Sequence, residues 1–182
     1  MKHRIYLILS LLGLYTCSVN DYTQEMSEEE ILITKIFSTE GRHLAFADLA
    51  FFKGKFFCTY RVAKSHVGDD GVVYLLGSNN SENWNFIRSF EVKGVDLRDP
   101  KFVLSEEEIV LYLHLGGSVF RNGVFVEHNQ FVTNSHNGNV WEKLNLINIK
   151  DKWLWKPIIY SNSVLAAGYR AGEELILYKS KI

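Results

Sequence analysis

Ser78-Asn79-Asn80-Ser81-Glu82-Asn83-Trp84 and Ser135-His136-Asn137-Gly138-Asn139-Val140-Trp141 share one pattern, S-x-N-[SG]-x-x-W, and stand 57 residues apart. The chain's two prolines, Pro100 and Pro157, have the same separation. Two unrelated landmarks in one register mark an internal repeat. A third unit begins near the end, where Leu177-Tyr178-Lys179-Ser180 corresponds to Leu75-Leu76-Gly77-Ser78. Each heptad reads mechanically as a turn. The side chain of the third residue bonds backbone amides and folds the turn on itself. A small fourth residue tolerates the turn's backbone, and the terminal Trp packs the turn against its own sheet.

The segments between these turns are short apolar or alternating runs closed by turn residues, which predicts strands. Leu49–Phe52, Lys53-Gly54-Lys55 and Phe56–Tyr60 form one expected hairpin. Val119–Arg121, Asn122-Gly123 and Val124–Val126 form another, with a favoured Asn-Gly turn. Val72–Leu76, Ile109–Leu113 and Leu175–Tyr178 are further strands. No amphipathic helix is apparent beyond the N-terminus. The expected class is all-β, and sheet units repeating every fifty-odd residues suggest a β-propeller.

Composition agrees with a folded sheet protein. The 182 residues are 47% hydrophobic and 14% aromatic, enough for one domain with a core. Twenty basic residues against twenty-one acidic ones give a net charge of −1, and no basic block points to nucleic acid. Lys2, His3 and Arg4 precede the apolar run Ile5–Tyr15, which reads as a signal peptide over residues 1–17. Leu14-Tyr15-Thr16-Cys17 is similar to a bacterial lipobox with Cys17 as the lipidated residue, although Thr16 departs from the usual small residue. The alternative is an ordinary cleaved signal. Both predict export, either as a lipoprotein of the bacterial outer membrane or periplasm or as a secreted protein, with the membrane met only through an N-terminal lipid. Residues 18–35 read as a polar tether and 36–182 as the folded part. With two cysteines and Cys17 committed, Cys58 reads as a buried small hydrophobe, and cysteine metal sites are excluded.

From about residue 43 onward the chain resembles the sialidase (neuraminidase) superfamily, in its bacterial BNR-repeat branch. The heptads look like Asp-boxes in which Asn80 and Asn137 replace the Asp. The other matching segments are His43–Leu49, Cys58-Thr59-Tyr60-Arg61, His66, Asp70-Gly71, Asp96-Leu97-Arg98-Asp99-Pro100-Lys101, Gly116–Phe120, Trp153-Leu154-Trp155 and Tyr169-Arg170, in the expected order. The resemblance implies a sialidase-type propeller of six blades, of which this chain holds material for about three. Because Ser180-Lys181-Ile182 stops at the first residue of a box, an incomplete propeller is expected. It further implies an exo-acting glycoside hydrolase working on glycans or sialoglycoconjugates, with no cofactor and no metal. The alternatives are a non-catalytic glycan-binding propeller and an inactive fragment.

Sialidases hold a sugar carboxylate with arginines, because a planar guanidinium matches it in bidentate fashion, and use a Tyr nucleophile. On that resemblance Arg61, Arg98 and Arg170 are candidate carboxylate binders, with Arg98 foremost because Asp99 and Pro100 are expected to start an inner strand. Asp48, Asp99 and His66 are candidate catalytic groups, while His43 and Trp153 are candidate substrate contacts. The structural alternatives are concrete: a strand-end pair for Arg98 and Asp99, a surface ion pair for Arg61, backbone capping for Asp48, a loop position for His66 and core packing for Trp153 or Trp155. Trp153 and Trp155 are two apart and share one face of a regular strand. Tyr60, Tyr74, Tyr112 and Tyr169 read as strand residues, and no Tyr–Glu nucleophile pair is evident. No phosphate loop, H-E-x-x-H or G-x-S-x-G is present, and His128 and His136 lack ligand spacing.

Overall fold

The computed structural model describes residues 35–36, 41–105 and 110–181, all within the compact unit Thr34–Ile182. The expected signal peptide, Cys17 and nearly all of the tether lie outside the described residues. The described chain is all-β, without a helix, and forms three antiparallel four-stranded sheets.

The first sheet is a meander of β1 (His43–Phe52), β2 (Lys55–Ala63), β3 (Val72–Ser78) and β4 (Asn85–Phe90), paired in chain order. The second repeats it with β5 (Val95–Leu104), β6 (Leu111–Arg121), β7 (Val124–Ser135) and β8 (Asn145–Ile147). In the third, β9 (Trp153–Leu154) and β10 (Ile158–Tyr160) both pair with β11 (Ser163–Tyr169), which pairs with β12 (Ile176–Lys181). The expected hairpin turns are present. Lys53-Gly54 and Asn122-Gly123 all have positive φ, as a two-residue turn matched to strand twist requires.

The box turns join the third strand of a sheet to its fourth. Asn80 Oδ1 accepts from the amides of Glu82 (3.2 Å) and Asn83 (2.9 Å), and Asn137 Oδ1 from those of Asn139 (2.9 Å) and Val140 (2.8 Å). Trp84 Nε1 donates to Ser81 O and Trp141 Nε1 to Gly138 O, both at 2.9 Å. The same two functions recur at the same positions, which accounts for the repeated sequence.

The strand that opens each of the first two sheets breaks register at the same place. The shift falls between Ala45 and Asp48 in β1 and between Arg98 and Lys101 in β5. In the third sheet Trp155, Lys156 and Pro157 separate β9 from β10. Two residues face one across each bulge. Asp99 and Pro100 therefore lie in the middle of β5, not at its start. Pro100 has no N–H to offer the ladder, and a bulge is where a strand tolerates that.

The main core lies between the first and second sheets. Phe57, Val73 and Leu75 meet Leu97, Leu111, Leu113, Leu115 and the box residue Trp141. Asp48 ties the two sheets together, its Oδ2 accepting from Phe102 N at 2.9 Å. Cys58 is buried on the opposite face of β2, packed with Tyr60, Val62 and Leu76. Burial raises its thiol to about 11, so it is inert at neutral pH.

Candidate functional site

The three sheets converge on an open cleft of about 310 Å³. Its wall combines Phe46, Trp153, Trp155 and Tyr169 with Arg98, Asp99 and Arg170, and His66, Ser118 and His128 complete it. The bulges position the first of these. Phe46 (φ 58°) and Asp99 (φ 46°) occupy equivalent bulge positions in β1 and β5, both in the left-handed region. That conformation turns them out of the strand's regular alternation and into the cleft. Asp tolerates it better than an aromatic residue, so Phe46 holds local strain.

Arg98 is anchored from behind. Asp96, fully buried, pairs with both Arg98 Nη2 and Arg61 Nε, the latter at 2.7 Å. Arg61 is 0% exposed and also donates from Nη1 to Ser65 O at 2.9 Å. Arg98 Nη2 reaches His66 O (3.3 Å), and its guanidinium lies 5.8 Å from the Phe46 ring centre. Gly71 makes this arrangement possible: a Cβ there would stand 1.7 Å from Asp96 Oδ1 and 2.8 Å from Arg61 Nε. Arg61 is thus in a buried ion pair with Asp96, not a surface one. It supports the cleft from inside the fold rather than lining it.

Asp99 is the carboxylic acid of the cleft. Burial pushes its carboxyl above the usual range, opposed in part by Lys101, Arg98 and a hydrogen bond from Trp153. Arg98 pairs with Asp96, so Asp99 is not consumed in a strand-end pair with its neighbour. The Trp153 ring, 8% exposed, lies over Gly116, where a Cβ would stand 2.6 Å from the indole. His128 packs edge-on against Trp153 with centroids 4.9 Å apart, and burial lowers its imidazole. Ser118 Oγ lies 3.4 Å from His128 Nδ1. Trp155, 47% exposed, stacks on Tyr169 at 6.2 Å and 15°. Arg170 pairs with Asp151 and stands 3.9 Å from Glu173.

Of the residues expected from sequence, Arg98, Asp99, His66, Trp153 and Arg170 meet in this cleft. Asp48 instead bonds the Phe102 amide, and His43 sits behind His66 with ring centres 5.3 Å apart. Phe46, Ser118, Tyr169 and His128 join without having been singled out as site residues. For His128 the reason is a bulge between Val119 and Phe120. Counting evenly back from the Asn122-Gly123 turn sets Glu127 opposite Ser118, whereas the shifted register sets His128 there.

A flat aromatic platform, two guanidinium groups and one partly dry carboxylic acid can stack on a ring, neutralise an anion and supply a proton. Among the described residues no cluster of three or more His, Cys, Asp or Glu could hold a metal ion.

No family model matches the chain, and no curated protein matches it either. Solved structures do resemble its fold. One is a mannose phosphorylase from Leishmania mexicana in complex with a phosphate ion, with a TM-score of 0.58 at 11% identity over 82% of this chain and 46% of that one. Another is a hypothetical protein from Leishmania major, with a TM-score of 0.56 at 11% identity over 81% of this chain and 47% of that one. The chain spans about half the length of these neighbours, and at such identity the likeness concerns the fold alone.

Proposed function

We propose that the cleft binds a terminal sugar of a glycan and that the chain is part of a sialidase-like propeller acting on exported or surface glycans. The observation that carries this is the placement of the stacked Trp155–Tyr169 pair and Trp153 beside Arg98, Arg170 and the half-buried acid Asp99. Two four-stranded meanders with box turns 57 residues apart, followed by a third antiparallel sheet, support the propeller as the frame. The aromatic faces take the apolar face of a pyranose. Arg98, held rigid by Asp96 and His66 O through Nη2, turns Nη1 toward the sugar carboxylate as a charge-assisted donor. Asp99 keeps its proton to higher pH than an ordinary carboxyl, as a general acid toward a glycosidic oxygen requires.

Titration with sialyllactose and with mannobiose, read by tryptophan fluorescence, tests the binding. Trp155→Ala and Arg98→Ala each weaken a saturable response at least tenfold. If neither sugar gives one, the assignment fails. Asp99→Asn keeps the left-handed backbone and leaves binding in place while turnover of an aryl glycoside disappears. An unchanged rate removes Asp99 from the mechanism.

One observation favours phosphorolysis as a second reading. Asp99 is the one carboxylate among the described residues that line the cleft, whereas most glycoside hydrolases use two. In phosphorolysis, phosphate attacks the anomeric carbon, Asp99 passes its proton to the leaving oxygen, and the arginines seat the phosphate. Release of an aryl mannoside that depends on added phosphate and yields a sugar phosphate selects this reading. Phosphate-independent release of sialic acid selects the first.

A further inference from the structure

We infer that the tip of the β6–β7 hairpin is a second binding station, which takes the sugar next to the terminal one in a glycan. This rests on the reading that the cleft holds a terminal sugar, and extends it. A bulge sets the geometry. Phe125 pairs with Phe120 and Glu127 with Val119, so Val126 is the extra residue of β7. In an unbroken strand Phe125 and Glu127 would share a face. The extra residue sets Phe125 on the face of His128 instead, and their ring centres lie 4.7 Å apart.

That face looks into the cleft. Along β6 it carries Gly116, Ser118 and Phe120, while the alternate residues Leu113, Leu115 and Val119 turn to the core shared with the first sheet. Trp153 covers Gly116. Ser118 and His128 come next, the imidazole edge-on to Trp153 at 4.9 Å. Phe125 follows, with Phe120 edge-on to it at 6.1 Å. One row of rings therefore leads out of the cleft to the hairpin tip. There Phe125 is 40% exposed, two residues from the Asn122-Gly123 turn.

The exposed ring is not on a bare face of the fold. The second sheet has the first packed on one side and Trp153 of the third on the other. The box turn follows the far end of β7, so the tip stands at the opposite end from the turn that seals the sheets. The row's chemistry names the occupant. A lipid or an apolar protein face fits a surface that is apolar throughout. Here a hydroxyl and an imidazole, Ser118 Oγ and His128 Nδ1 at 3.4 Å, sit between the Trp153 and Phe125 rings. A glycan alternates in the same way. Its pyranose faces present C–H groups that rest on aromatic rings, and the linkage and hydroxyls between them exchange hydrogen bonds.

The test measures the full chain's affinity for short and long probes by tryptophan fluorescence: methyl sialoside against sialyllactose, and methyl mannoside against mannobiose. The longer member of the pair that binds is expected to bind about tenfold more tightly. Phe125→Ala removes that gain and leaves the methyl glycoside unaffected, whereas Phe125→Tyr keeps the gain. Trp155→Ala weakens both members. If Phe125→Ala weakens both members equally, or neither, the inference is overturned, while a methyl glycoside response that Trp155→Ala abolishes leaves the reading of the cleft standing. Binding of no probe at all removes both. Sedimentation showing a dimer that Phe125→Ala dissociates assigns the tip to a second copy and overturns the inference too.

Discussion

Asp96→Ala is the substitution that most directly tests how the cleft is held. Asp96 is wholly buried and is the counter-charge for two guanidinium groups, of which Arg61 has no exposure. Removing its carboxylate leaves Arg61 charged in a site with no water to solvate it. Breaking a buried pair from one side costs about 3–5 kcal/mol. For a domain of this size each kcal/mol moves Tm by about 2–4 °C, so a fall of about 6–20 °C is expected. Thermal and urea denaturation at pH 7, followed by circular dichroism in the sheet region, measures it. The double variant Arg61→Met with Asp96→Leu separates charge from packing. It removes both buried charges and recovers most of the loss, because well-packed apolar residues replace such pairs at little cost. Arg98 loses its anchor in both variants, so the recovered protein still binds sugar weakly. A fall for Asp96→Ala of less than about 2–4 °C, or 1 kcal/mol, refutes the argument that the cleft rests on this carboxylate.

Gly71→Ala disrupts the same pair from another side, since its Cβ would fall 1.7 Å from Asp96 Oδ1. A loss comparable to that of Asp96→Ala is expected in the same melts. His114 is 3% exposed, and burial holds its imidazole down to about 4 against an ordinary 6.5. The unfolded chain therefore takes up a proton that the folded chain refuses. The stability is complete above pH 6.5 and is lost as pH falls toward 4, by about 3 kcal/mol. His114→Leu flattens that part of a Tm-against-pH curve. Asn137→Ala frees two backbone amides in the second box and costs about 1–3 kcal/mol, while Asn137→Asp retains both bonds and the wild-type midpoint in urea.

What the sequence discloses depends on how far apart the partners are. The box turns are legible because Asn137 and the amides it binds lie within three residues, and the hairpins because Asn122-Gly123 encodes its own backbone. The expected strands match the meanders on the same grounds. Arg61 and Asp96 are 35 residues apart and meet only once two sheets pack, so nothing local marks Arg61 as an internal support. Bulges hide the rest. One sets Asp99 and Pro100 in mid-strand where an even reading sets a strand start, and another sets His128 rather than Glu127 opposite Ser118. Arg98, Asp99, His66, Trp153 and Arg170, singled out in the sequence, line one cleft. Phe46, Ser118 and His128 needed the register.

The recurring bulge has a consequence for how such a cleft can change. At each bulge one residue stands outside the ladder's alternation, so its identity is free of the demands that strand pairing makes on its neighbours. Phe46 and Asp99 hold that position in the first two sheets, as an aromatic and an acid. A lineage can exchange these two side chains one at a time while every strand stays in step, so the chemistry of the rim can diverge far faster than the sheets that carry it.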